Sequence, residues 1–132
     1  MKNHFERVKH YLQELNYDIT YEDATDEIYI INDESNGIKN LIIDCEDSIL
    51  MIEQFIFDVQ KESLEMFKTL LVKNRQIVHG AFALDETGTK VLFRDTLQLE
   101  NLDLNELEAS INSLKLLLAE HIGELLTLAK QK

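Results

Sequence analysis

The chain has 132 residues, which suits a single domain over residues 1–132 with one apolar core. An apolar fraction of 45% and a charged fraction of 29% are ordinary for a water-soluble protein, and no apolar run reaches the length of a membrane span. The net charge of −12 disfavours direct contact with a phosphate backbone and so argues against nucleic-acid binding.

The opening segment, Met1–Glu6, lacks the apolar stretch of an export signal. Cys45 is the only cysteine and has no intramolecular disulfide partner, so a reducing cytoplasm is the expected setting. Residues 3–15 then read as an amphipathic helix. Phe5, Val8, Leu12 and Leu15 recur at steps of three and four behind Asn3, a natural N-cap. Ile19–Glu22 is β-prone but short, either an edge strand or a loop.

Glu27–Asn32 is predicted as a strand with apolar residues on both faces, and Ser35-Asn36-Gly37 supplies a hairpin turn. Leu41, Ile43 and Cys45 alternate with Ile42, Asp44 and Glu46, and Asp47-Ser48 turns the chain again. Ile49, Met51, Phe55 and Phe57 are assigned to one face of the next strand, interrupted by Glu53. The product is an antiparallel meander with an acidic outer side. From Asp18 to Asp58 twelve acids accompany one base, Lys39, while the flanking segments are close to neutral. Such a surface keeps aggregation-prone strands in solution, and it also suits a basic protein partner.

Lys61–Asn74 is predicted as the second helix, with Leu64, Phe67, Leu70 and Leu71 as its stripe and Asn74 at its end. A hairpin follows, turned by Asp85-Glu86-Thr87-Gly88. Phe82 and Leu84 share one face of its first strand, and Val91 and Phe93 one face of its second. Leu99-Glu100-Asn101 leaves the sheet, and Asp103 or Asn105 caps a long final helix. Positions 104, 107, 111, 114, 118, 121, 125 and 128 are all Leu or Ile except His121, and Leu117 and Ile122 widen the stripe. That width suits packing on a sheet better than a two-helix seam.

Chemistry is sparse. His121 reads as a partly buried, hydrogen-bonded histidine at the end of the core, with a pH-sensitive contact as the functional alternative. His4, His10, His79 and His121 show no ligand spacing with one another or with Cys45, and no metal site is expected. Asp44, Glu46 and Asp47 lack the regular pattern of a calcium loop. Cys45 points inward between acids that oppose thiolate formation. No phosphate-cradling glycine loop, nucleophile elbow or dinucleotide fingerprint is present, so no cofactor and no enzymatic activity are expected. In the pair His79-Gly80, the glycine suits a strand start or a bend close to a partner.

The order of helix, meander, helix, hairpin and long helix resembles the class I type III secretion chaperones, the Tir-chaperone (CesT-like) family, and their YbjN-like relatives. The resemblance spans nearly the whole chain. It is carried by the opening helix ending near Leu15-Asn16-Tyr17, the strands from Glu27 to Phe57, the Gly80-Ala81-Phe82-Ala83-Leu84-Asp85-x-x-Gly88 hairpin with Val91-Leu92-Phe93-Arg94, and Leu97-x-Leu99. It implies an α+β fold, a twisted antiparallel sheet with helices packed against it in the order α-β-β-β-α-β-β-α. It further implies a non-catalytic homodimer that binds extended segments of other proteins through apolar patches, or, for the YbjN-like relatives, a regulatory role. The helix at 61–74 and the final hairpin are the expected dimer interface, and Phe55, Phe57, Phe67, Leu71, Phe82 and Phe93 are the expected partner or dimer contacts. A small enzyme or ligand binder is the reading of another class, and it requires a deep pocket lined by convergent polar groups.

Overall fold

A computed structural model of the chain describes residues 3–130. Met1 and Lys2, which belong to the segment read for an export signal, lie outside the described residues, as do Gln131 and Lys132. Helix α1 (His4–Glu14) begins where expected: the Asn3 side chain accepts a hydrogen bond from the Glu6 amide at 3.1 Å. It buries Phe5, Val8 and Leu12. Strands β1 (Asp18–Asp23), β2 (Ile28–Asp33), β3 (Ile38–Glu46) and β4 (Ile49–Asp58) follow, then helix α2 (Leu64–Lys73), strands β5 (Ala81–Leu84) and β6 (Lys90–Gln98), and helix α3 (Leu104–Ala129). The strands form one sheet in the order β1-β2-β3-β4-β6-β5, with every pairing antiparallel.

The α+β architecture is the one anticipated, with an additional strand. The segment left open as edge strand or loop is β1, which pairs with β2 through a bulge between Ile19 and Tyr21. The meander therefore has four strands.

The helices are gathered on one side. The Phe5 ring of α1 stacks on Tyr29 of β2 with centroids 4.2 Å apart, and the Tyr29 hydroxyl donates to the Phe5 carbonyl at 2.8 Å. Ser110 of α3 donates to Asp95 of β6 at 2.7 Å on the same face. Helix α2 leans on the C-terminal half of α3 through Lys73. Arg7 and Tyr11 of α1 donate to the carbonyls of Leu99 and Leu102, which ties the first helix to the segment leading into the last. The core between them holds Tyr29, Ile31, Leu41, Ile43, Leu50 and Ile52 from the sheet and Leu107, Ile111 and Leu114 from α3.

Helix α3 follows its sequence pattern closely. Asp103, rather than Asn105, is the N-cap and accepts from the Glu106 amide at 2.8 Å. Leu107, Ile111, Leu114, Leu118, Leu125 and Leu128 are buried along the stripe, and Leu117 widens it. Ile122 does not: it is exposed.

Two assignments require correction. Helix α2 starts at Leu64, not Lys61, capped by Ser63, and its inward face is Met66, Leu70 and Lys73. Leu64 and Leu71 are 77% and 66% exposed. Apolar residues surround this helix, so a second register with steps of four and three competes with the chosen one, and tertiary packing decides. On β4, the residues facing the helices are Leu50, Ile52, Gln54 and Phe57, while Ile49 and Phe55 are exposed. Phe55 and Phe57 do not share a face. A bulge lies between them, because Phe55 pairs with Leu92 whereas Phe57 pairs with Val91. One extra residue reverses the alternation, turning Phe55 out and Phe57 in.

This parity change is testable. Phe57→Ala is expected to cost about 3–5 kcal/mol in chemical denaturation, as for a buried phenylalanine, and Phe55→Ala less than about 1 kcal/mol. Equal losses at the two positions would contradict the placement of the bulge.

Candidate partner-binding surfaces

Near the start of β3 and the end of β4, the buried Gln54 side chain bridges two backbone groups. Its amide donates to the Gly37 carbonyl at 3.0 Å and its oxygen accepts from the Lys39 amide at 3.1 Å. Gly37 takes φ +84° directly beneath Leu118 of α3; a Cβ there would lie 2.9 Å from the Leu118 side chain. Here α3 and the strand ends enclose an open groove of about 1000 Å³ whose apolar lining includes Phe55, Ile56, Leu116, Ala119, Ile122 and Leu126. Phe55 lines this groove and is 49% exposed overall, and Leu116, Ile122 and Leu126 are exposed as well. It is a broad open trough whose walls also carry polar residues, among them Glu34, Asn36, Lys39, Asn112 and Lys115, rather than a deep enclosed pocket of the small-molecule kind.

A second apolar surface lies on α2 and the segment after it. Leu64, Leu71, Val72 and Val78 all face solvent, Val78 with 80% exposure. The neighbouring strand β5 is a sheet edge, but its free side is partly closed. The Asn74 side chain accepts from the Phe82 amide at 2.7 Å and donates to the Phe82 carbonyl at 3.3 Å. Such a cap opposes addition of a further strand at this edge. Asn74 also ends α2, as its position suggested.

The six expected contact residues separate into two groups. Phe55 and Leu71 are exposed and Phe67 is half-buried. Phe57, Phe82 and Phe93 lie in the core, where they support the surfaces from beneath. Of the exposed groove residues, Leu116 and Leu126 were not singled out from sequence, and Ile122 was read as part of the buried stripe. Their signal was present: they are apolar positions of α3 at helical spacing outside the buried stripe.

The polar candidates have structural partners. His121 Nδ1 lies 3.3 Å from Lys73 Nζ, which also donates to Glu124 at 2.6 Å, joining α2 to α3. The Glu124 carboxyl is held below its usual range chiefly by the hydrogen bond from Lys73. The His79 amide and carbonyl both bond the Ser113 hydroxyl, at 3.2 and 2.8 Å. Gly80, at φ +84°, directly precedes β5 and sits against the Phe93 ring, from which a Cβ would lie 2.5 Å, so its close approach is to the chain's own core. Among the described residues no group of three His, Cys, Asp or Glu side chains is placed to hold a metal ion. Among the described residues no helix is long and apolar enough to cross a membrane.

The CesT_Tir_1 family model matches residues 1–131. The chain belongs to this family. It is a family of non-catalytic chaperones, and the chain is accordingly not an enzyme. No curated protein matches the sequence significantly. Solved structures share the fold at low identity. YbjN from E. coli, a proposed transcription regulator, has a TM-score of 0.67 and 11% identity over 91% of this chain and 92% of its own. A chain of the HopA1–SchA chaperone–effector complex gives 0.62 and 10% identity, covering 96% of this chain and 94% of that one. The complex of the Yersinia pestis type III secretion chaperone SycH with a fragment of YscM2 gives 0.61 and 13%, covering 96% and 99%.

Cys45 is buried, and burial, with Glu27 and Asp44 nearby, pushes its thiol up to about 12. Alkylation of the folded protein at pH 8 is therefore expected to proceed only through unfolding, with labelling rates that track denaturant concentration. The raised value also means that the stability it contributes is complete below the ordinary thiol value of 9.0 and is lost as pH rises towards about 12. Rapid labelling in native buffer would show that the thiol is accessible.

Proposed function

We propose that the protein is a cytoplasmic binding module that acts as a homodimer and holds an extended polypeptide segment of a partner protein in the groove beside α3. The observation that carries this reading is the concentration of exposed apolar side chains in two places: Phe55, Leu116, Ile122 and Leu126 around an open groove, and Leu64, Leu71, Val72 and Val78 on and beyond α2. Scattered apolar residues are normal on a protein surface, whereas contiguous sets mark contacts. The groove accepts an extended chain through apolar side chains. The exposed apolar residues of α2 suit a symmetric contact with a second copy, in which Leu71 and the half-buried Phe67 meet their equivalents. The Asn74 cap on β5 favours groove binding over strand addition. Family membership and the structural likeness to chains of chaperone–effector complexes support a protein partner.

A regulatory protein acting through dimerisation is the second reading, favoured by the likeness to YbjN across most of both chains. The two readings share the α2 contact and differ in whether the groove is occupied by a client.

Leu71→Asp combined with Val72→Asp is expected to convert a dimer into a folded monomer in sedimentation, with the far-ultraviolet spectrum unchanged; a monomeric wild type at high concentration removes the dimer. A photo-crosslinking residue at Leu126 is expected to capture a discrete partner in the native cytoplasm. Normal expression of other genes with loss of one client in a deletion strain supports the chaperone reading, and broadly altered expression supports the regulatory one.

A further inference from the structure

The face of the sheet opposite the helices carries no helix among the described residues. Its central positions pair across the strands as Tyr21–Ile30–Ile42–Glu53–Arg94 and Ile28–Asp44–Met51–Thr96. The surface is thus a band of apolar side chains crossed by acids. Arg94 is already engaged with Glu53, at 3.5 Å. Asp44 is different. It lies between Ile28 and Met51, one of its carboxylate oxygens is buried, and among the described residues nothing donates to that oxygen. Burial, followed by the carboxylates of Glu46, Asp26, Glu27 and Glu53, pushes its carboxyl above the usual range. A partly desolvated carboxylate surrounded by like charges gains most from a cation brought by another molecule. A second copy of this chain is a poor occupant, because twofold packing would place the same acids against one another.

We infer that this open sheet face takes a basic, partly apolar segment of the partner polypeptide, with a lysine or arginine seated at Asp44 between Ile28 and Met51. The inference rests on the polypeptide-binding function proposed above and specifies the chemistry of the client. Phe55 lines the groove and stands on the same side of β4 as Glu53 and Met51, so it is the residue that the groove and this face have in common. Phe55 and Met51 are four positions apart on the strand, about 13 Å at the rise of an extended chain. A client running alongside β4 then has a cation about four residues from the apolar side chains that fill the groove.

The test is selection from a random phage-displayed peptide library on the full-length protein, followed by titration of the enriched peptide, made synthetically. Enriched sequences are expected to carry lysine or arginine about four residues from an apolar cluster. Asp44→Asn is expected to weaken the peptide at least tenfold. Replacing the peptide's cation by norleucine is expected to abolish that difference, as a double-mutant cycle requires. Asp44→Asn is expected to melt no lower than wild type, because it removes an unpaired carboxylate, so lost binding does not reflect lost fold. Enriched peptides without cations, or equal binding to Asp44→Asn, overturn the inference. If those peptides are nevertheless weakened by Leu126→Asp, groove binding stands and only the assignment of the sheet face fails. If no peptide is enriched, both fall.

Discussion

The structure depends on one-sided burial. An antiparallel sheet, unlike a parallel one, can keep one face in water. This chain places its helices on a single face of its six strands, with α2 braced on α3. The contact that sets this arrangement is Tyr29 against α1. It is fully buried, its ring stacks on Phe5, and its hydroxyl satisfies the Phe5 carbonyl at 2.8 Å. With α1 fixed there, Arg7 and Tyr11 reach the chain around Leu99–Leu102 and thereby position the start of α3. The open face then has to be soluble without a covering layer, which accounts for the acids interleaved among its isoleucines.

The aromatic end of the core follows from a local irregularity in the same sheet. Up to Gln54, β4 obeys a strict alternation; the bulge before Phe57 then reverses it. An uninterrupted strand would keep Phe55 exposed and would turn Phe57 out beside it, stripping the core of an aromatic ring. With the bulge, Phe57 closes the core while Phe55 stays at the rim of the groove. On the other side of β4, where pairing with β3 ends at Ile42 and Glu53, the Gln54 side chain supplies hydrogen bonds to Gly37 and Lys39. One inserted residue therefore fills the core without burying the exposed ring beside it.

Features governed by neighbours in sequence were legible. The caps at Asn3 and Asp103, the stripe of α3 and the turns at Asn36-Gly37 and Gly88 depend on local spacing and on conformations that few residues adopt. The faces of β4 were not legible, because Ile49, Leu50, Met51 and Ile52 are apolar in unbroken succession and alternation gives no signal. The face of α2 failed for the same reason. Of the six candidate contacts, the aromatic character of Phe57, Phe82 and Phe93 indicated large apolar area but not whether it faced the core or a partner. The Asn74 cap on β5 joins residues eight apart through a fold-dependent geometry, and no motif announces it.

The acidity of the middle of the chain divides once side chains are placed. Asp23 accepts from the amides of Thr25 and Asp26 and builds a turn. Asp33 holds Ser35, Asn36 and Lys115 at the next turn. Glu22, Glu53 and Asp58 pair with Lys9, Arg94 and Lys90. These carboxylates are explained by turn geometry and by exposed ion pairs of modest worth. Asp44 has no such explanation: solubility alone would be served better by a fully hydrated carboxylate at the rim than by one pressed between Ile28 and Met51. An ionisable group kept where it costs stability points to a use outside the folded chain itself, and its position on the uncovered face indicates from which side that use comes.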